Sequence, residues 1–234
     1  IDVMRTEVPE VRQAAMRAVR DLPGRDVTKR CSEALSELPD DRKIEMAAAL
    51  ADRGDPQALP ALHLLLNSNN ASVRHGGIAA LGKLGDHHSV SELLELLIRP
   101  GVNDEPQIRQ ALITMNGPGV DDEIVEEIYG PNELIRSVLI DTLVARGTPG
   151  ATSALIRVAR QSTGVIQTQA LNALTQVASV DAIPVLVDFM LTAPNTESGA
   201  AARQAILAAL QRGQGFGNAA GLTAALDRKD LSIT

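Results

Sequence analysis

Side chains able to do chemistry are few in this chain and poorly spaced for it. His87 and His88 follow Asp86 directly, but adjacent histidines seldom ligate one ion, and no second spaced pair completes a metal set. His63 and His75 stand alone. Cys31 is the one cysteine, which excludes an internal disulfide framework and any multi-thiolate metal site. It falls on the buried side of a helical stretch with Val27 and Leu35, the usual setting of an inert thiol. Gly215-x-Gly217-x-x-Ala220 has the spacing of a dinucleotide fingerprint, yet no strand precedes it to aim a phosphate at a helix start. No catalytic residue, no metal site and no cofactor is expected.

Charge and ring content narrow the partners. The 22 Lys and Arg stand against 29 Asp and Glu, a net charge of −7, which argues against a binder of phosphate backbones. Tyr129, Phe189 and Phe216 are the only aromatics besides histidine, too few to stack single-stranded bases. Nucleic acid is therefore not an expected partner. No uncharged stretch approaches the ~20 residues of a membrane-spanning helix. The first thirty residues carry no apolar run of the secretory kind, and the compartment stays open.

The elements that would position any site come from a repeat. A small residue followed by an aliphatic one recurs at Ala18-Val19, Ala49-Leu50, Ala80-Leu81, Ala173-Leu174 and Ala209-Leu210, with Met115-Asn116 and Thr142-Leu143 in the same phase. Successive pairs lie about 32 residues apart on average. Four residues before each landmark stand Ala15, Met46, Gly77, Leu112, Leu139, Ala170 and Ile206, and three before it Met16, Ala47, Ile78, Ile113, Ile140, Leu171 and Leu207. Spacings of 3, 4, 7 and 8 define one buried helical face. Between these B helices lie shorter apolar-periodic stretches, the A helices: Val27 to Leu38, Ala58 to Leu66, Val90 to Ile98, Ile124 to Tyr129, Ala154 to Arg160 and Ile183 to Leu191. Apolar residues never alternate over a sustained run, so no strand is expected.

The predicted fold is all-α, a right-handed α-solenoid of about seven stacked helical hairpins, since one hairpin cannot bury its own faces. The approximate repeats are 1–26 (partial), 27–55, 56–86, 87–119, 120–150, 151–181, 182–215 and 216–234 (partial), in a single repeat domain over 1–234. Asp104-x-x-Gln107 and Ser89-x-x-Glu92 read as capping boxes opening a B and an A helix. Gly76-Gly77 inside a helix costs roughly 1 kcal/mol per glycine against Ala, so a neighbouring helix should approach closely there.

Residues 54–86, from Gly-Asp-Pro-Gln-Ala-Leu-Pro through Arg-His-Gly-Gly-Ile-Ala-Ala-Leu-Gly-Lys-Leu-Gly-Asp, resemble a short HEAT-like repeat of the type also found in phycobilisome bilin lyases. The resemblance extends, more weakly, from about Glu10 to Gln211. It implies a solenoid and leaves function open, because such arrays serve scaffolds, adaptors and enzymes alike. The di-iron hydroxylases built on HEAT-like repeats carry His-Glu pairs, and no such dipeptide occurs here.

One column opens the B helices with Arg12, Lys43, Arg74, Arg109, Arg136, Gln167 and Arg203, basic in six of seven. Basic charge near a helix N-terminus opposes the macrodipole, so a compensating anion is expected. Asp55, Asp86 and Asp121, in the breaks before A helices, are the expected partners in a structural ladder between repeats; a basic track for an acidic ligand is the other reading. At 100° per residue the B-helix positions beside the buried stripe point outward. They are Gln13, Arg17, Arg20, Ile44, Ala48, His75 and Ala79 early in the chain, then Gln110, Thr114, Ser137, Asp141, Thr168, Asn172, Gln204 and Gln211. In HEAT-like solenoids B helices line the concave surface. The later set, rich in amides and hydroxyls, can donate and accept toward a peptide backbone and cannot neutralise phosphates.

The function expected is therefore a non-enzymatic scaffold that binds a protein or peptide on the B-helix surface. The alternative, from the resemblance, is an accessory subunit of an enzyme, bilin-lyase-like or cofactor-loading. Asp121, Asp122, Glu123, Glu126, Glu127 and Glu133 read as a solvated helix start or a dock for a basic partner. The pattern opens on a B-type helix and closes on an A-type one, neither with a cap. Uncapped ends predict a longer protein, or contacts with neighbouring domains or a second subunit.

Overall fold

A computed structural model describes residues 8–192 and 196–213. Among the described residues the regular structure is entirely helical. The B helices are α1 (Pro9–Asp21), α3 (Asp40–Arg53), α5 (Ala71–Leu84), α7 (Glu105–Thr114), α9 (Glu133–Arg146), α11 (Gly164–Val177) and α13 (Thr196–Arg212). The A helices between them are α2 (Arg25–Leu35), α4 (Leu59–Leu65), α6 (His87–Leu97), α8 (Val120–Glu127), α10 (Ala151–Gln161) and α12 (Ile183–Thr192). The chain divides between Ile124 and Val125 into two compact units. In the first, α1, α3, α5 and α7 pack in succession, with α2 and α4 against α3 and α5; in the second, α9, α11 and α13 do the same, with α10 and α12 behind them. Each unit is a stack of antiparallel hairpins, the architecture of an α-solenoid.

The repeat stripe is what the stacks bury. Leu50, Leu81, Leu143 and Leu174 are fully buried, as are Leu112, Leu139, Ala170 and Ile206 one turn earlier. Each buried Leu or Ile contributes about 1.5–3 kcal/mol of transfer free energy, which short helices need, being marginal alone. In α7 the helix stops at Thr114, so buried Met115 and exposed Asn116 lie past its end. That early stop explains the blurred landmark there. Gly76 and Gly77 mark the close approach that their cost implied. A Cβ on Gly77 would sit 2.8 Å from the Leu65 Cβ of α4, and one on Gly76 would meet Ile44 of α3 at 3.2 Å.

Helix starts follow the local chemistry, with two corrections. Asn70 and Asn132 cap α5 and α9 through their side-chain oxygens. The box at α6 is formed by Asp86 and Ser89, so Ser89 stands in the third helical position rather than opening the helix. Asp104 precedes α7 but its side chain makes no cap bond, because its carboxylate is engaged elsewhere.

Candidate partner-binding site

The column that opens the B helices ties one layer to the next. Arg74 donates from Nη1 to the Ser68 carbonyl (3.0 Å), closing the turn between α4 and α5, and from Nε to Asp104 Oδ2 (2.7 Å) at the head of α7. His75 Nε2 meets Asp104 Oδ1 at 2.8 Å. Burial pushes the Asp104 carboxyl up, but hydrogen bonds from Arg74 and His75 outweigh it and hold the group below the ordinary carboxylate range. Gln167, the non-basic member, does the same work without charge. Its Nε2 donates to the Ala159 and Ser162 carbonyls (3.0 and 2.9 Å), and its Oε1 accepts from the Ser198 hydroxyl (2.7 Å) on α13. Arg136 donates to Ser162 Oγ at 3.0 Å.

At Arg74 the anion is one that its sequence position did not suggest. Arg74 takes Asp104 rather than Asp86, whose carboxylate accepts the Ser89 N–H in the α6 box. Asp55 accepts the Gln57 N–H and the Thr28 hydroxyl. Arg12 pairs with Glu45 at 3.6 Å, Lys43 with Asp40 at 3.4 Å and Arg109 with Glu105 at 2.8 Å, the last two within one helix. Asp121 lies half-buried at the start of α8, and Arg203 half-buried on α13. A second set of ties was not legible in the sequence. Arg53 ends α3 by donating to the Val19, Leu22 and Gly24 carbonyls in and just past the last turn of α1, and Arg212 ends α13 by donating to the Thr175 and Ala178 carbonyls in and just past the last turn of α11. A cation on the orphan carbonyls of a helix end is favourable, and each arginine satisfies several at once.

With the frame fixed, the outward B-helix positions can be located. Gln110, Thr114, Asp141, Asn172, Gln204 and Gln211 are exposed, and Ser137 and Thr168 half-buried. The Thr114 hydroxyl bonds back to the Gln110 carbonyl (3.0 Å). Gln169, a residue beside the expected set, donates to the Ser137 carbonyl and to Asp141 Oδ1, both at 3.0 Å, and so links α11 to α9.

In the second unit three of these positions line a groove of about 950 Å³ across α9 and α11, which Ser137, Gln204 and Gln211 do not line. Asp141, Thr168 and Asn172 of the expected floor meet there with Gln169, Gln176 and Glu197. Val165, 81% exposed, stands on its edge. In the first unit a smaller groove of about 490 Å³ crosses α1 and α3. Arg12, Arg17 and Arg20 line it against Glu45 and Asp52, with Arg20 3.9 Å from Asp52.

The remaining candidates take structural places. His63 Nε2 lies 2.8 Å from the buried Ser89 hydroxyl, and its ring meets His88 edge-on at 5.5 Å. Burial lowers the His63 pKa, against the pull of Glu92. Among the described residues no cluster of His, Cys, Asp and Glu could hold a metal ion. Cys31 is buried, and desolvation pushes its thiol up. The glycines at 215 and 217 lie outside the described residues, as do the chain ends. No described helix is long and apolar enough to cross a membrane.

Residues 28–115 match the family model for HEAT repeats. No curated protein matches the chain. Among solved structures the chain is similar to the complex of CpcE and CpcF of phycocyanin lyase from a Nostoc species, at 16% identity over 96% of this chain and 91% of that one, with a TM-score of 0.45. It is similar to human deoxyhypusine hydroxylase in complex with glycerol, at 18% identity over 97% and 88%, with a TM-score of 0.40. A designed armadillo repeat protein is similar at 15% identity over 89% and 97%, with a TM-score of 0.35. Likeness at this level concerns helical-repeat architecture alone.

Proposed function

HEAT repeats occupy residues 28–115 of an α-solenoid chain, and from that premise we propose that the protein is a non-enzymatic scaffold that binds an extended polypeptide across its B helices, chiefly at the groove over α9 and α11. The observation that carries this reading is the run of amides and hydroxyls lining that groove. Thr168, Asn172 and Gln176 follow one another along α11 and can both donate to and accept from a peptide main chain. Helices present them, and Gln169 braces α11 on α9, so little backbone freedom remains to be lost on binding.

The test is random-peptide display against the intact chain, followed by hydrogen exchange with an enriched peptide bound. Protection of α9 and α11 amides is expected. Protection confined to the A helices, or no enrichment at all, contradicts the reading.

A further inference from the structure

We infer that the groove over α9 and α11 selects a cationic segment, one whose Lys or Arg side chains alternate with aliphatic ones. This rests on the polypeptide-binding reading above and adds the chemistry of the partner. The charge of the lining points to it. Asp141 and Glu197 line the groove, and among the described residues no Lys, Arg or His does. Carboxylates in a concavity walled by low-dielectric protein focus a negative potential, and the chain as a whole carries −7. The groove over α1 and α3 supplies the contrast within one molecule. It is built from the same kind of helix pair, yet its lining holds three arginines against two carboxylates. A cationic segment therefore has reason to choose the second unit, and an acidic one has no site there.

The aliphatic half of the pattern comes from Val144, Ala145 and Val165, which share the lining with the polar groups. Val165 is 81% exposed, an uncommon state for a valine at the head of a helix. An extended segment points alternate side chains to opposite sides, with same-side residues about 6.6 Å apart, so one edge can meet the carboxylates while the other covers Val165.

The experiment is fluorescence anisotropy of the intact protein with three labelled heptapeptides, Gly-Lys-Val-Lys-Val-Lys-Gly and its Gln and Glu counterparts, at 0.05 M and 0.5 M salt. The Lys peptide is expected to bind at least tenfold more tightly than the Gln peptide at low salt, to lose most of that margin at high salt, and the Glu peptide not to bind. E197Q should weaken the Lys peptide about threefold and D141N/E197Q about tenfold. V165K, at an exposed position where misfolding is not expected, should do likewise. K83Q on α5, at an exposed position that lines neither groove, should leave binding unchanged, and circular dichroism confirms that each variant is folded. Equal binding of the Lys and Gln peptides, or display sequences enriched without Lys or Arg, overturns the cationic inference and leaves the polypeptide reading standing. Absence of binding by all three peptides together with failed display enrichment overturns both.

Discussion

Two inter-layer ties in this molecule solve one problem with different chemistry. Between α5 and α7, Arg74 closes its own turn and grips the carboxylate of Asp104, 3% exposed. Between α11 and α13, Gln167, 4% exposed, closes its own turn and accepts from Ser198, 1% exposed. Both columns satisfy carbonyls left open where an A helix ends, and both reach the head of the next B helix. The partner type follows from donor arithmetic. Arginine has only donors, so its far partner must accept. A glutamine that spends its amide hydrogens on carbonyls has only its oxygen left, so its far partner must donate. An Asp in place of Ser198 would set two acceptors against each other. The charged tie brings pH dependence with it, and the neutral tie does not.

Breaking the charged tie gives the largest expected effect. D104A leaves the Arg74 guanidinium, 11% exposed, without its carboxylate and should cost about 3–5 kcal/mol in urea unfolding, the range for removing one partner of a buried pair. A loss below 1 kcal/mol would falsify the claim that this pair joins the layers. Q167A removes the neutral tie and takes the amide donor from two buried carbonyls. It should cost about 2 kcal/mol, within the range for unsatisfied buried groups, and less than D104A because no charge is stranded.

Transplanting one tie onto the other sharpens the comparison. The double variant R74Q/D104S should recover most of what D104A loses, since the two sites are coupled. It should also blunt acid sensitivity. Asp104 has its pKa lowered by folding, so the unfolded chain takes up the proton first, and its stabilisation is complete above the ordinary Asp value of about 3.9 and fades as pH falls through the folded-state value. Unfolding curves at pH 7, 4.5 and 3 should show a smaller drop in the double variant than in the parent, and equal drops would count against the assignment. The smallest effects belong to exposed pairs in either unit. K83A, which opens the 2.7 Å pair with Asp52, and R160A, which opens the 2.8 Å pair with Asp188, should each shift stability by less than about 1 kcal/mol.

How far the site was legible depends on the kind of information each residue carries. Outward pointing of Asp141 and Asn172 follows from helical phase alone, which is local. That they share a groove with Glu197 and Val165 depends on how α13 and the start of α11 lie against α9, and no spacing in the sequence encodes that. The misread caps share this origin. Asp104 and Ser89 have side chains suited to a helix start, but a distant Arg74 outbids the local N–H for one, and Asp86, three residues earlier, displaces the other.

The sequence by itself determined the helices, their order and the stripe each one buries, because a 3.6-residue period written over and over at ~32 residues has no other packing that removes it from water. Tertiary structure alone decided which donor meets which acceptor between layers, where the chain divides into two units, and which stretch of B-helix surface becomes an acidic groove. Those choices turn on side-chain directions and distances of a few ångströms between residues some thirty positions apart, and a chain of letters does not state them.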